Sequence, residues 1–269
     1  MLQGTSILSH FSNLPQLLLN TEEFPYRNYI LQKLDKITAP FEFPKDTMLG
    51  KQAEACFENL LRENKDIQLL AANVQIQGQK HTLGELDYLF YEIEHQRYVH
   101  VELACKFYLR DIHLGNTLTE QWIGPNRKDT LHEKLKKLAQ WQFPLLFKSE
   151  TQNTLSELNI HFETLEQQLC LKTQLFVPYG TELPLPERYH TCIAGCYLRP
   201  EQFFTQYKED AQFALPSKKE WLLPPNLITN WYSFYEIEKQ ILQSLTEKSS
   251  TLVYRKLGET ITKFFVVWW

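Results

Sequence analysis

Two carboxylates near the middle of the 269-residue sequence stand where charge is expensive. Asp87 lies in the run TLGELDYLFYE and Glu102 in YVHVELACKFYL, on either side of the polar turn Glu94-His95-Gln96. Both runs are rich in Leu, Tyr, Phe, Val and Ile and predict a β-hairpin. Strand side chains alternate with period two. Glu85, Asp87 and Leu89 therefore share one face of the first strand, and His100, Glu102, Ala104 and Lys106 one face of the second. In the obvious register Asp87 and Glu102 project to the same side. A buried carboxylate must be protonated, paired or bound to a cation, and two side by side raise each other's cost. A divalent metal would relieve the repulsion and supply a Lewis acid. Acids on a half-exposed hairpin are more often plain solvated surface. Here, however, LDYLF and YVHVEL are apolar on both parities, which marks a strand pair covered on both faces.

The elements around this hairpin can be read in order. Residues 1–45 mix short helical signals with Pro15, Pro25, Pro40 and Pro44 and predict one or two short helices. MLGKQAEACFENLLRENKDI is an amphipathic helix, with Asp46 or Thr47 as its cap and Leu49, Ala53, Cys56, Phe57, Leu60 and Leu61 on its buried face. Glu54 sits at the rim of that face, where it is either solvated or reaches over a sheet edge, and Gly50 permits close backbone approach. LAANVQIQ predicts a strand leading into the hairpin. Residues 110–123 form a long irregular connection of a kind that often carries function. After Gly124-Pro125, Asn126 is placed to cap a helix, with Asp129 as its capping-box partner. Leu131, Leu135, Leu138 and Gln142 line one face of that helix, and Phe143-Pro144 ends it. Gln142 is a polar residue on an apolar stripe, either a satisfied core glutamine or a site residue. Arg127 and Lys128 in the first turn suit a phosphate, and Lys134, Lys136 and Lys137 extend a basic side; a solvated charged face is the commoner use of such residues.

Leu155, Leu158, Phe162, Leu165 and Leu169 predict a further helix, from about residue 151 to about 168. LCLKTQLFVPYG and TCIAGCYL are strand candidates, KKEWLLPPN is a loop anchored by a tryptophan, and Trp231, Phe234, Ile237, Ile241 and Leu245 mark another helix. TLVYRKL and TKFFVVWW close the chain as strands. This order predicts an α/β protein with a central mixed β-sheet flanked by helices. With no linker or repeat, it reads as a single domain over 1–269, with a core at about 45–180 and a C-terminal elaboration at about 181–269.

Composition narrows the function classes. Aromatic residues make up 13% of the chain, which favours a packed fold over disorder. The net charge of −4 gives no global pull toward nucleic acid or anionic membrane, though a local basic patch is compatible with it. No apolar run reaches membrane-spanning length and no signal core opens the chain, so a cytoplasmic protein without a membrane partner is expected. The five cysteines show no paired short spacings; Cys192 and Cys196 lie in an apolar run and read as core thiols rather than a zinc site or disulfide framework.

Gly50-x-x-x-Glu54 on a helix, then Gly84-Glu85-Leu86-Asp87, then an apolar strand bearing Glu102, resembles the PD-(D/E)XK nuclease superfamily. Within it, GELDYL, HVELACKFYL, IGPNRKDTLHEKLKKLAQWQ and WLLPP resemble a bacterial family, domain of unknown function eighteen-fifty-three, over about residues 45–225. The resemblance implies a restriction-endonuclease-like core with N- and C-terminal elaborations. It also implies a nuclease site in which Asp87 and Glu102 hold Mg²⁺ or Mn²⁺, Glu54 assists, a lysine positions the attacking water and Gln142 lines the site. Nucleic acid is then the expected partner, with Arg127, Lys128 and Lys134 as phosphate contacts; oligomeric state is left open. One departure matters. The superfamily lysine falls two residues after the second acid, where this chain has Ala104. Lys106 keeps the strand face but lies about 6–7 Å further along, and is read as the migrated catalytic lysine. The alternatives are a catalytically silent nuclease fold serving as an interaction module, and carboxylate acid/base hydrolysis of a non-nucleotide substrate.

Overall fold

The computed structural model describes residues 2–161, 164–182, 184–207 and 211–269. In chain order the elements are α1 (Leu2–Asn13), β1 (Arg27–Asn28), α2 (Leu49–Glu63), β2 (Ile67–Gln77), β3 (Thr82–Glu92), β4 (Arg97–Arg110), β5 (Trp122–Ile123) and α3 (Leu131–Lys137). A π-helical turn, Leu138–Gln142, then leads into α4 (Phe143–Leu145) and α5 (Ser149–Glu157). The rest are β6 (Leu165–Pro178), α6 (Glu187–His190), β7 (Ile193–Leu198), α7 (Pro200–Gln206), β8 (Gln212–Ala214), α8 (Phe234–Thr246), β9 (Thr251–Leu257) and β10 (Thr260–Val266). The architecture is α/β, a large mixed central sheet flanked by helices.

The chain groups into two compact units. The first comprises 1–42, 54–104 and 133–172; the second comprises 43–53, 105–132 and 173–269. One boundary falls between 42 and 43 and the others inside α2, β4, α3 and β6, so neither unit is a continuous stretch of sequence.

In the first unit the strand order is β2-β3-β4-β6, with β1 parallel to β6. The β2–β3 and β3–β4 pairs are antiparallel, and the predicted hairpin turn falls at 93–96, with Gln96 at a φ of 48°. Val99 to Ala104 are all buried, as apolar character on both parities predicts. Ala53 of the second unit and Cys56, Phe57, Leu60 and Leu61 of the first, on the predicted face of α2, are each at most 1% exposed. Burial of each large side chain contributes about 1.5–3 kcal/mol. A core of Ile76, Leu86, Leu89, Leu145, Leu146, Leu155 and Ile160 ties β2 and β3 to α4 and α5. Gly84 makes the contact with α4 close: a Cβ there would stand 2.7 Å from Leu145 Cδ2.

In the second unit the order is β6-β7-β10-β9-β8. The β6–β7 and β7–β10 pairs are parallel, and β10–β9 and β9–β8 antiparallel. Phe203, Phe213, Phe234, Ile237, Ile241, Val253 and Phe264 form its core.

Three expectations need correction. The helix predicted to run to about 168 stops at Glu157, and residues 165–168 open β6 (Phe162 lies outside the described residues). Leu165 and Leu169 are four apart, but in β6 that spacing places them on one strand face. Asn126 caps no helix: α3 starts at Leu131, and Asn126 Oδ1 accepts the Ser250 N–H at 2.8 Å. Phe143-Pro144 does not end the helical path either. Phe143 N–H reaches back five residues to Leu138 O, and the chain continues helically through Leu145. Pro144 has no N–H to give the regular ladder, and the wide turn precedes the missing bond.

Candidate functional site

Where β3 and β4 leave their shared ladder, the first unit buries His100 and Glu102 beside the half-buried Asp87. The last paired residues are Tyr88 and Val101. One step beyond, the side chain of Asp87 acts as an acceptor for the neighbouring strand: Leu103 N–H donates to Asp87 Oδ2 at 2.8 Å. The backbone N–H of Asp87 in turn donates to the Glu102 carboxylate. Each acid is thus held by the other strand's backbone, which fixes both without neutralising either.

Glu102 is 1% exposed. Burial pushes its carboxyl well up and the Glu85 charge adds to this; Lys134, the Asp87 N–H and the Gln142 side chain pull it down. Asp87 is raised too, first by burial, then by the charges of Glu102 and Glu54, against the Leu103 N–H and Lys134. Two neighbouring acids with raised affinity for protons mark a candidate functional site.

Gln142 closes one side. It ends the π-helical turn, and its Nε2 donates to Glu85 O at 2.8 Å, while its side chain also hydrogen-bonds Glu102. The close approach at Gly84, next in sequence to Glu85, lets the helical segment carrying Gln142 reach β3. Tyr88 Oη donates to Glu54 O at 2.9 Å, tying α2 to β3. Glu54, Asp87, Glu102 and Gln142 thus all belong to one unit, joined by hydrogen bonds or by charge.

Three further residues complete the network, and the sequence reading gave none of them a role. Asn73 sits between the pairs Ala72–Tyr88 and Val74–Leu86, opposite Asp87, at a φ of 54°. Asparagine tolerates this left-handed backbone. With its amide oriented to satisfy its neighbours, Asn73 Nδ2 donates to Glu54 Oε2 at 3.0 Å and to Glu85 Oε1 at 3.3 Å. The readable signal was an asparagine inside the apolar run LAANVQIQ. His100 and Gln167 form the second addition. His100 is fully buried, and burial pushes its imidazole down to about 4, so the ring is neutral. Gln167 Nε2 lies 3.0 Å from His100 Nδ1 and donates to Phe143 O at 2.8 Å. An amide nitrogen only donates, so Nδ1 is the acceptor and the ring proton sits on Nε2. That proton points at Glu102 Oε1, 3.0 Å away. The sequence reading placed His100 on the face of Glu102 without assigning it this bond.

The four cations given a site role from the sequence differ in their partners. Lys134 on α3 belongs to this site: among the influences that lower Glu102 its charge is the largest, and it lowers Asp87 as well. Lys106, Arg127 and Lys128 belong to the second unit. Lys106 Nζ is 3.0 Å from Asp129 Oδ2. The Arg127 guanidinium is 2.8 Å from Asp111 Oδ2 and 4.5 Å from the centre of the Trp269 ring. Lys128 is exposed at a cavity described below.

The donor set can be tested against a metal. Among the described residues no group of three or more His, Cys, Asp or Glu is arranged to hold one. Zinc or calcium in a cage of protein ligands therefore does not suit these residues. Mg²⁺ takes one or two carboxylates and keeps much of its water. Asp87 and Glu102 supply that number of hard oxygen ligands, and a bound cation would offset the charge that burial and mutual repulsion disfavour.

None of the five cysteines forms a disulfide. No helix among the described residues is long and apolar enough to cross a membrane. No curated protein and no solved structure matches the chain. The family model for domain of unknown function DUF1853 matches residues 5–263, and the chain belongs to that family.

Proposed function

We propose that the first unit carries a metal-dependent phosphodiesterase site that acts on DNA or RNA, in keeping with the resemblance of its GELD and HVEL segments to PD-(D/E)XK nucleases. The observation that carries the reading is the pair Asp87, half-buried, and Glu102, fully buried, both raised by burial and like charge and both lowered by the charge of Lys134. Asp87 and Glu102 are the residues that would hold Mg²⁺ or Mn²⁺. When bound, the ion would supply Lewis acidity toward a phosphoryl oxygen.

The chain's own residues do the rest. His100 Nε2–H and the Gln142 side chain hold the Glu102 carboxylate in one orientation. Asn73 does the same for Glu54. Lys134 offsets negative charge as it develops on a phosphate and supplies the cation that Ala104 leaves out of the superfamily pattern. On this account the cation comes from a helix rather than from two residues further along the strand. Lys106, ion-paired to Asp129, does not take that part.

The test is cleavage of mixed DNA and RNA substrates in Mg²⁺ or Mn²⁺. Activity that falls at least tenfold in Lys134→Gln, and less than threefold in Lys106→Gln, supports this assignment. The opposite order would move the lysine's role back to Lys106. Ala104 favours one other reading, a silent nuclease fold that binds nucleic acid or protein. Metal-independent partner binding that survives Asp87→Asn, with no cleavage by wild type, would select it.

A further inference from the structure

A second polar site lies wholly within the second unit and does not rest on the carboxylate pair. It is a cavity of about 450 Å³. That volume falls in the range of small-molecule pockets and far exceeds a bare inorganic anion. Its walls are fixed. Gly124 N–H donates to Asp129 O and Arg127 N–H to Gly124 O, each at 2.8 Å, closing the loop on itself. A Cβ on Gly124 would stand 2.5 Å from Asp129 Oδ1, so a larger residue there would push the Asp129 carboxylate aside. Ser250 ties the loop down, its N–H donating to Asn126 Oδ1 at 2.8 Å and its hydroxyl to Pro125 O at 2.6 Å. On the other wall Ser217 is locked to Glu220 through its N–H and hydroxyl, both at 2.8 Å, and Trp221 Nε1 donates to Pro216 O at 3.2 Å.

Two lysines stand on these anchored segments, Lys128 on one and Lys218 on the other, and both line the cavity. Among the described residues neither ammonium has a carboxylate within ion-pair distance. The acid on the wall, Asp129, is already paired to Lys106. Ser249 and Thr251 add side-chain hydroxyls, and Pro216, Trp221 and Leu252 give the cavity an apolar side. Lys218 Nζ lies 5.9 Å from the centre of the Trp221 ring, which leaves its charge without an anion. Two ammonium groups with no carboxylate partner, beside hydroxyl groups, suit a phosphate, and an apolar wall with ample remaining volume suits the body that carries it. The loop with Lys128 comes from the IGPNRKD block and the opposite wall from the KKEWLLPP stretch. The two sequence segments thus meet in one cavity.

We infer that this cavity binds a phosphorylated small molecule of nucleotide size, with Lys128 and Lys218 on the phosphate. Calorimetry on the full chain, with EDTA present, would use a nucleoside 5′-monophosphate, pyrophosphate and inorganic phosphate as probes. EDTA separates this outcome from the fate of the metal site. The expected result is saturable nucleotide binding that weakens at least tenfold in the Lys128→Gln/Lys218→Gln double variant and falls with added salt. Ser249→Asp, which places a carboxylate in the cavity, should abolish it. Both lysines are exposed, so the double variant should keep the wild-type melting temperature. No nucleotide binding by wild type, unchanged affinity in the double variant, or binding of inorganic phosphate or pyrophosphate without the nucleotide would each overturn the assignment.

Discussion

Replacing Asp87 by asparagine should make the metal-free protein more stable at pH 8 and leave its stability nearly unchanged near pH 4.5. Burial, with the charges of Glu102 and Glu54 behind it, raises the Asp87 carboxyl from 3.8 to about 8. The folded state thus holds a proton that the unfolded chain gives up near pH 4. A raised carboxyl costs nothing below the unfolded value. Its cost grows as pH rises and levels off above the folded value, so the window is pH 4 to 8. If the whole displacement reached stability, the cost would be about 6 kcal/mol. Solvent entry and proton sharing with Glu102 absorb part of that, so about 2–3 kcal/mol is the expected gain at pH 8. Asparagine keeps an oxygen for the Leu103 N–H, so the backbone tie survives. Urea denaturation in EDTA at pH 4.5 and pH 8 reads the difference. A variant no more stable than wild type at pH 8, or a difference independent of pH, would refute the reasoning. Adding Mg²⁺ should erase the difference. Wild type gains about 2.7 kcal/mol at a hundred times its dissociation constant, and the variant gains little.

Other outcomes follow from the same contacts. His100→Ala leaves the Glu102 Oε1 atom and the Gln167 amide without their partner and opens a void beside Phe143. It should cost about 2–4 kcal/mol in urea denaturation, and His100→Gln should recover part of that if the bond to Glu102 matters. Gln142→Leu removes the donor that both Glu85 O and Glu102 use, and should raise the Glu102 proton affinity further, shifting the pH midpoint of metal binding upward in calorimetry. Because a cation must displace protons from Asp87 and Glu102, both pushed up to about 8, metal affinity should rise with pH between about 6 and 8, by up to tenfold per unit for each proton released. Pro144→Ala restores an N–H to the helical path after the π turn and should lower cleavage activity if Gln142 is thereby drawn off Glu85.

Much of the site was legible because it lies on regular elements with a clear period. The alternation along β3 and β4 placed Asp87, His100 and Glu102, and the amphipathic stripe of α2 placed Glu54 at the rim of its buried face. What escaped was set by contacts distant in sequence. Asn126 resembles a helix cap locally, yet its oxygen serves Ser250, 124 residues away. Leu165 and Leu169 fit a helical period, but they sit in a strand whose centre is buried on both faces, where helix and strand patterns look alike. Lys106 and Lys134 show the limit most plainly. Counting along a strand favours Lys106, whereas the cation that acts on both acids arrives from α3 through folding. Asn73 and Gln167 are polar residues inside strands, and only their partners give them a role.

The central claim is that Asp87 and Glu102 together form a cation site. Calorimetric titration of Mn²⁺ into wild type, Asp87→Asn and Glu102→Gln at pH 8 addresses it most directly. The account predicts saturable binding by wild type that releases protons to the buffer, and loss of that binding in both variants. No saturable binding by wild type, or equal binding by all three proteins, would contradict it.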